Sequence, residues 1–321
     1  MRPAEPDTDH APALSRESAL SRIGLGTVQF GLDYGITNKA GRPAQDEVEA
    51  ICGLAARAGI DTLDTAFLYG DSEAVIGRTT AAAPFRIVTK TPKFADAVSG
   101  DAAAEALLAA LRTSLDRLGR QSVDALLFHD ADDLLGPHGA ALWAAMERAK
   151  ADGMAARIGA SVYQGRQIDT ALDRYPVEIV QLPFNPLDRR LIEGGQIARL
   201  SAAGVEIHAR SLFLQGLLLQ PPGAIEPRFG VLRDAVAEIH EWAAARGLTP
   251  LQGVLALALA ETRIDRFILG VTSARELEDI VSAAEIGQGV QPQTDFASSV
   301  ALDPRHLDPS RWAELGEREP H

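Results

Sequence analysis

One cysteine, Cys52, stands in the 321 residues, inside an apolar stretch. Disulfides within the chain and zinc sites built on cysteine are thereby excluded, and a reducing cytoplasm is the expected setting. No window comes near the ~18 uninterrupted apolar residues of a membrane-spanning helix, and the first residues lack the basic-then-apolar order of a secretory signal. Positive charge is also short: 31 Lys and Arg face 44 Asp and Glu, a formal net charge of −13. With no basic stripe set apart, neither nucleic acid nor a membrane is an expected partner. Any anionic ligand has to be held locally, by helix N-termini and single arginines. One topological signal is missing too. The first strand-like run, "GLGTVQFG", lacks the Gly-x-Gly-x-x-Gly turn that an open, doubly wound dinucleotide-binding sheet places there.

What is present is an ordinary soluble composition, 46% apolar and 23% charged. Residues 1–20 are rich in Pro, Ala and charge without apolar periodicity and read as a loose tail. From residue 21 onward two patterns alternate. Short β-rich runs occur at 22–30, 60–65, 85–90, 123–129, 156–161, 178–184, 205–211 and 266–271. Helical stretches lie between them, such as "QDEVEAICGLAARAG", "DAAAEALLAALRTSLDRLG", "HGAALWAAMERAKADG" and "LIEGGQIARLSAAG", and many end at glycine, the usual stop signal. Several strands are almost continuously apolar, as parallel strands covered by helices are. Eight β/α units without a break in composition predict one closed (β/α)₈ TIM barrel over 21–321 rather than an open sheet. The long 211–262 interval holds an extra helix, "VLRDAVAEIHEWAAARG", read as an insertion in the loop after strand seven. The segment after 286 is poor in pattern and is expected to pack irregularly across one barrel end. Pattern leaves the assembly open between a monomer and a small homo-oligomer.

Such a barrel builds its site from the C-terminal strand ends. Those ends read Gln29, Asp64, Lys90, His129, Ser161, Gln181 and Arg210, followed by the Gly270–Ser273 turn. Helix capping accounts for one or two of these, but not for a carboxylate, a lysine and a histidine on consecutive strands. A lysine buried at the end of strand three needs an anion, which Asp64 can supply. A charged Lys90 beside Tyr69 is expected to lower the phenol's pKa, and a phenol so tuned can donate a proton to a developing alkoxide. His129 can hydrogen-bond the same oxygen and orient it. The set reads as machinery for reducing a carbonyl, lacking a hydride donor that a cofactor must bring. The loop aromatics Phe30, Tyr34, Phe67, Phe94, Tyr163, Phe184 and Phe213 are either walls of a substrate pocket or packing under a loop.

The segments "LDTAFLYGDSE", "VTKTP", "LLFHD", "RIGAS" and "VQLPFN" together resemble the aldo-keto reductase superfamily over roughly residues 21–285. The resemblance implies an NAD(P)H-dependent reductase of aldehydes or ketones, a sugar or sugar derivative among the candidates, with Asp64, Tyr69, Lys90 and His129 as its catalytic tetrad. "LGTVQFGLDYGI" and "RSLFLQGLLL" look most like a bacterial branch often placed with sugar and surface-polysaccharide genes. It implies further that Ser161 and Gln181 bond the nicotinamide carboxamide, although the Asn usual after that serine is Val162 here. Arg210 stands where many members stack an aromatic ring on the nicotinamide. Its guanidinium plane can stack likewise, or it serves a structural salt bridge. Ser211, Gly270 and Thr272 complete the implied cofactor groove. In "GVTSARELEDI", Ser273 and Glu276 fit a capping box, and the helix N-terminus behind them suits a phosphate. Basic residues common in the family are replaced by Gly270 and Glu276. Arg275 is the expected substitute at the phosphate, which places NADP(H) ahead of NAD(H).

Other readings stand beside this one. A barrel lysine can form a Schiff base, but that needs a neutral amine, and Asp64 argues for a charged one. The run "HDADD" at 129–133 can suggest a metal, although Asp132 and Asp133 suit the start of the next turn. His208 reads as a core residue inside a strand, and Trp143 and Trp242 as packing on helical faces. A nicotinamide-binding sensor or regulatory subunit on the same fold, with vestigial catalysis, is the alternative of a different class.

Overall fold

The computed structural model describes residues 17–288 and 296–315. Eight strands run β1 Ile23–Gly26, β2 Thr62–Asp64, β3 Arg86–Lys90, β4 Val123–Phe128, β5 Ala155–Ser161, β6 Ile179–Pro183, β7 Glu206–Arg210 and β8 Arg266–Gly270. Each pairs in parallel with the next, and β8 returns to β1, so the sheet closes into the expected barrel. The crossovers are helical. Gln45–Arg57 follows β1, Gly100–Leu118 follows β3 and Gly139–Ala151 follows β4. Gly119, at φ +63°, terminates the longest of these in the left-handed conformation that glycine adopts without penalty.

Register explains how the barrel interior is layered. Side chains two residues apart on a strand share a face. Val88, Ala125, Leu127 and Ile179 form a small buried cluster within the barrel. Two residues further along their strands stand Lys90, His129 and Gln181, so apolar filling gives way to polar groups toward the C-terminal mouth. Gly24 leaves room in this layer, since a Cβ there would come within 2.8 Å of Ile268 Cδ1. The opposite end is closed by charge. Arg266 reaches Asp61 at 3.1 Å, Arg86 reaches Asp124 at 3.4 Å, and Arg157 pairs with Glu206. Arg22 donates to the carbonyls of Leu259, Glu261 and Ile264, tying the start of β1 to the turn before β8.

Three boundaries differ from the sequence expectation. Strand one, expected over 22–30, stops at Gly26, and Val28–Gly31 turns into a short helix that carries Gln29. The stretch "LIEGGQIARLSAAG" is two helices, Arg190–Glu193 and Gln196–Ala202, because Gly195 takes φ +81° between them. The loose tail expected over 1–20 falls mostly outside the described residues, but Glu17–Ser21 forms a helical turn that buries Ala19 and Leu20. The inserted helix after β7 spans Gly230–Ala244. The C-terminal segment consists of 3₁₀ turns at Pro304–Leu307 and Pro309–Leu315, and Trp312 sits edge-on to Phe229, 4.8 Å between centroids, at the foot of that helix. Among the described residues no helix is long and apolar enough to cross a membrane.

Candidate active site

At the C-terminal mouth a cavity of about 820 Å³ runs across the barrel. Asp64, Tyr69, Lys90 and His129 all line it, and so do Ser161, Gln181, Arg210, Ser211, Gly270 and Thr272. Tyr69 is delivered by a tight turn. Gly70 takes φ +57°, and a Cβ on Gly31 would lie 1.8 Å from the Tyr69 carbonyl oxygen, so two glycines let the β1 and β2 loops close on each other. Behind that turn Ser72 donates to the Thr27 carbonyl at 2.8 Å. Glu73, also buried, accepts from Thr89 at 2.7 Å and pairs with Arg117. The acids of "LDTAFLYGDSE" therefore divide: Asp64 faces the cavity, Glu73 braces the wall, and Asp71 pairs with Arg42 on the surface.

The Lys90 Nζ donates to Asp64 Oδ1 at 2.5 Å and to the Thr65 carbonyl at 3.0 Å. Lysine and aspartate are 1% and 3% exposed. Burial pulls the ammonium below its usual range while Asp64 opposes that pull. The second oxygen, Asp64 Oδ2, accepts from Gln181 Nε2 at 2.7 Å, a contact across 117 residues with no signal in the sequence. Tyr69 differs from the sequence expectation. Burial, and next the charge of Asp64, push its phenol above the ordinary value, against the lowering that a neighbouring ammonium was expected to bring. The Lys90 Nζ lies 5.2 Å from the Tyr69 ring centroid, and the His129 ring meets the same ring edge-on at 5.6 Å. Burial and the nearby Lys90 and Arg210 push His129 down to about 3, so its imidazole is neutral.

Of the seven candidate wall aromatics, Tyr34, Tyr163 and Phe213 line the cavity. The other four are corrected. Phe30, on the short helix that replaced the end of β1, is 1% exposed; Phe94 and Phe184 are core residues, the latter against Phe267; Phe67 lies under the Arg117 guanidinium at 4.6 Å. Arg210 covers the Tyr163 ring at 4.1 Å and donates to the Val162 carbonyl, with no carboxylate partner among the described residues. Ser273 and Arg275 are not on the cavity wall, whereas Glu276, Asp279 and Ile280 are. The Ser273 Oγ accepts from the Glu276 N–H at 3.2 Å as expected, but the Glu276 carboxylate reaches back to the Thr272 N–H and hydroxyl. Glu47 accepts from the Ala274 N–H at 2.6 Å.

The acids of "HDADD" tie loops together: Asp130 accepts from Asp132 N–H, Asp132 from Gln167, and Asp133 from Phe94 N–H. His208 is 1% exposed, and Trp143 packs on Tyr175. Residues overlooked in the sequence form the outer wall. Gln215 holds Ile36 N–H and the Tyr34 hydroxyl, and Thr37 donates to the Gln215 carbonyl at 2.9 Å, joining the loops after β1 and β7. Three non-glycine residues of the second loop, Ser211, Leu214 and Gln215, have positive φ, a concentration of backbone strain beside the cavity.

Similarity to known proteins agrees with this geometry. The chain is 29% identical over 300 residues to aldo-keto reductase str7 of Strobilurus tenacellus, covering 84% of this chain and 86% of that one. It is 32% identical over 153 residues to an aldo-keto reductase of Mycobacterium sp. (strain MCS), 46% of this chain and 52% of the relative, so it spans about half of that protein's length. The fold is similar to the holo form of an aldo-keto reductase from Bacillus halodurans, with a TM-score of 0.66 at 18% identity and 92% of each chain covered. The model of the Aldo/keto reductase family matches residues 22–295, and this chain belongs to that family of oxidoreductases acting on carbonyl groups.

Proposed function

We propose that this enzyme reduces an aldehyde or ketone to the alcohol with a reduced nicotinamide dinucleotide, and that Tyr69 gives the proton. The observation that carries the reading is the convergence of Asp64, Tyr69, Lys90 and His129, from three successive strands and the loop after β2, on one cavity. The residues present fit such a cofactor. Gln29 Oε1 is buried on this wall without a partner among the described residues, an acceptor that an amide or hydroxyl of a nucleotide would satisfy. Ser161, Gln181, Ser211 and Gly270 would hold the nicotinamide end and its linkage. The cofactor supplies the hydride.

The remaining chemistry belongs to the chain. A phenol held above its usual range stays protonated at neutral pH, so Tyr69 keeps its proton until an alkoxide develops beside it. Lys90, charge-balanced by Asp64, then stabilises the phenolate that remains. Neutral His129 orients the carbonyl oxygen by a hydrogen bond without competing as an acid. Three of the chain's four tyrosines line the cavity, with Gln215 and Asn38 beside Tyr34, and this polar wall supports an oxygenated substrate such as a sugar or sugar derivative. For the cofactor's adenosine end, the sequence expectation of NADP(H) rests on the helix N-terminus at Ser273 and on Arg275 in its first turn. The test is turnover of a panel of aldehydes, ketones and sugars with each reduced nicotinamide. Binding of a nicotinamide without turnover of any carbonyl would favour the regulatory alternative.

A further inference from the structure

We propose that this enzyme selects the unphosphorylated dinucleotide, NAD(H), and that Glu276 is the residue that enforces the choice. The inference rests on the nicotinamide-dependent reading above. Among the described residues the cavity's cations are Lys39, Lys90 and Arg210. Lys90 is bonded to Asp64, and Arg210 lies over Tyr163 at the end of β7, so both belong to the reacting end. At the other end the described wall is Thr272, Glu276, Asp279 and Ile280, with two carboxylates and no cation among them. The first turn of helix Ala274–Gln288 is the place where an adenosine phosphate would look for backbone donors. Three of the donors at this turn are already engaged. Ala274 N–H is held by Glu47, Glu276 N–H by Ser273, and Thr272 N–H by the Glu276 carboxylate at 2.7 Å. A phosphate dianion placed there would displace a carboxylate hydrogen bond and stand beside like charge.

A ribose with two free hydroxyls suits the same wall. Each hydroxyl is a donor, and a carboxylate has lone pairs beyond those that Thr272 uses. Arg275, the residue expected to bind the phosphate, is exposed and off the cavity wall. Its side chain leaves the helix about 100° from that of Glu276, as consecutive helical residues do. Lys39, on the loop after β1, is the one described lining cation that could offset the carboxylates.

Calorimetric titration of the full chain with NADH, NADPH, adenosine 5′-monophosphate and adenosine 2′,5′-bisphosphate tests the proposal without turnover. NADH and adenosine 5′-monophosphate are expected to bind at least about tenfold more tightly than their 2′-phosphorylated counterparts. Glu276→Gln, which keeps hydrogen bonds but removes charge, should tighten NADPH by about ten- to hundredfold and weaken NADH only a few-fold. Equal affinities, tighter NADPH, or a preference untouched in Glu276→Gln would overturn the assignment. Loss of NADPH binding in Lys39→Ala or Arg275→Ala, with NADH unchanged, would also refute it by locating a phosphate contact. If neither dinucleotide binds, the underlying reductase reading fails instead.

Discussion

At the residue scale the site turns on one buried charge pair. The Lys90 ammonium is held at 2.5 Å by Asp64, and both side chains are almost fully buried. Removing one partner of such a pair commonly costs about 3–5 kcal/mol, because the other charge stays behind unpaired. Asp64→Asn should therefore destabilise the fold by an amount of that order in urea at neutral pH. The sign of its pH dependence follows from Lys90, whose pKa is already lowered and would fall further without the carboxylate. Between that value and the ordinary lysine range only the unfolded chain holds the proton, so stability of the variant rises with pH and the deficit should narrow by about pH 9.5. A deficit constant with pH would mean that the substituted amide leaves Lys90 charged. Tyr69→Phe deletes the proposed acid alone. It should lower the turnover number by about 10²–10⁴ while leaving NADH affinity in titration close to the parent value. Near-normal turnover in that variant would transfer the acid role to another group, His129 first.

Among the elements, the loops after β1 and β7 are clasped together above the cavity. Gly216 is the point of closest approach. It has φ +90°, and a Cβ there would lie 2.2 Å from Thr37 Oγ1. Gly216→Ala meets both a left-handed backbone and a collision, so it should force the clasp open. The expected cost is about 1–2 kcal/mol from the conformation, plus the Thr37–Gln215 and Tyr34–Gln215 hydrogen bonds that hold the loops. Because both loops line the cavity, stopped-flow measurement should show faster cofactor release, with the hydride-transfer step itself unchanged. Release at the parent rate would show that the clasp does not cover the bound ligand. By contrast, the Arg266–Asp61 and Arg86–Asp124 pairs at the far end of the barrel touch nothing in the cavity and serve closure alone.

For the whole molecule, the barrel's interior sets its response to acid. His208, on β7 and 1% exposed, donates Nε2–H to Glu206 at 2.8 Å as a neutral imidazole. Burial pushes it down to about 3, while an unfolded chain holds a proton on the same ring up to its ordinary value. In the window between, protons favour the unfolded state, so stability is full near neutral pH and falls as pH drops. A single histidine shifted this far contributes a loss of about 2 kcal/mol at about pH 5. Denaturant melts at these two pH values should show it, and His208→Asn should flatten the dependence by most of that amount. Equal slopes in parent and variant would mean that the ring already shares a proton with Glu206 in the folded state.

The strand–helix alternation was written locally, and so the barrel could be read from the chain alone. Eight apolar runs, each of strand length and each separated from the next by a helical repeat, admit only one common closed arrangement, and the pairing of β1 with β8 bears it out. Asp64, Lys90 and His129 were legible for the same reason, since a polar residue at the end of a buried strand has few other uses. Where one residue's neighbour lies far along the chain, the sequence held no sign of it. Gln181 meets Asp64 across 117 residues and Glu47 meets Ala274 across 227, and these contacts decide which donors the cavity still offers. Phe30 failed as a pocket wall because the strand expected to carry it ended early, at Gly26, and one short helical turn moved the ring into the core. Periodicity along a chain reports which face a residue takes within its own element. Which partner waits on that face, and whether Glu276 caps its helix or guards the cavity, depends on how separate elements pack, and only the folded barrel brings them together.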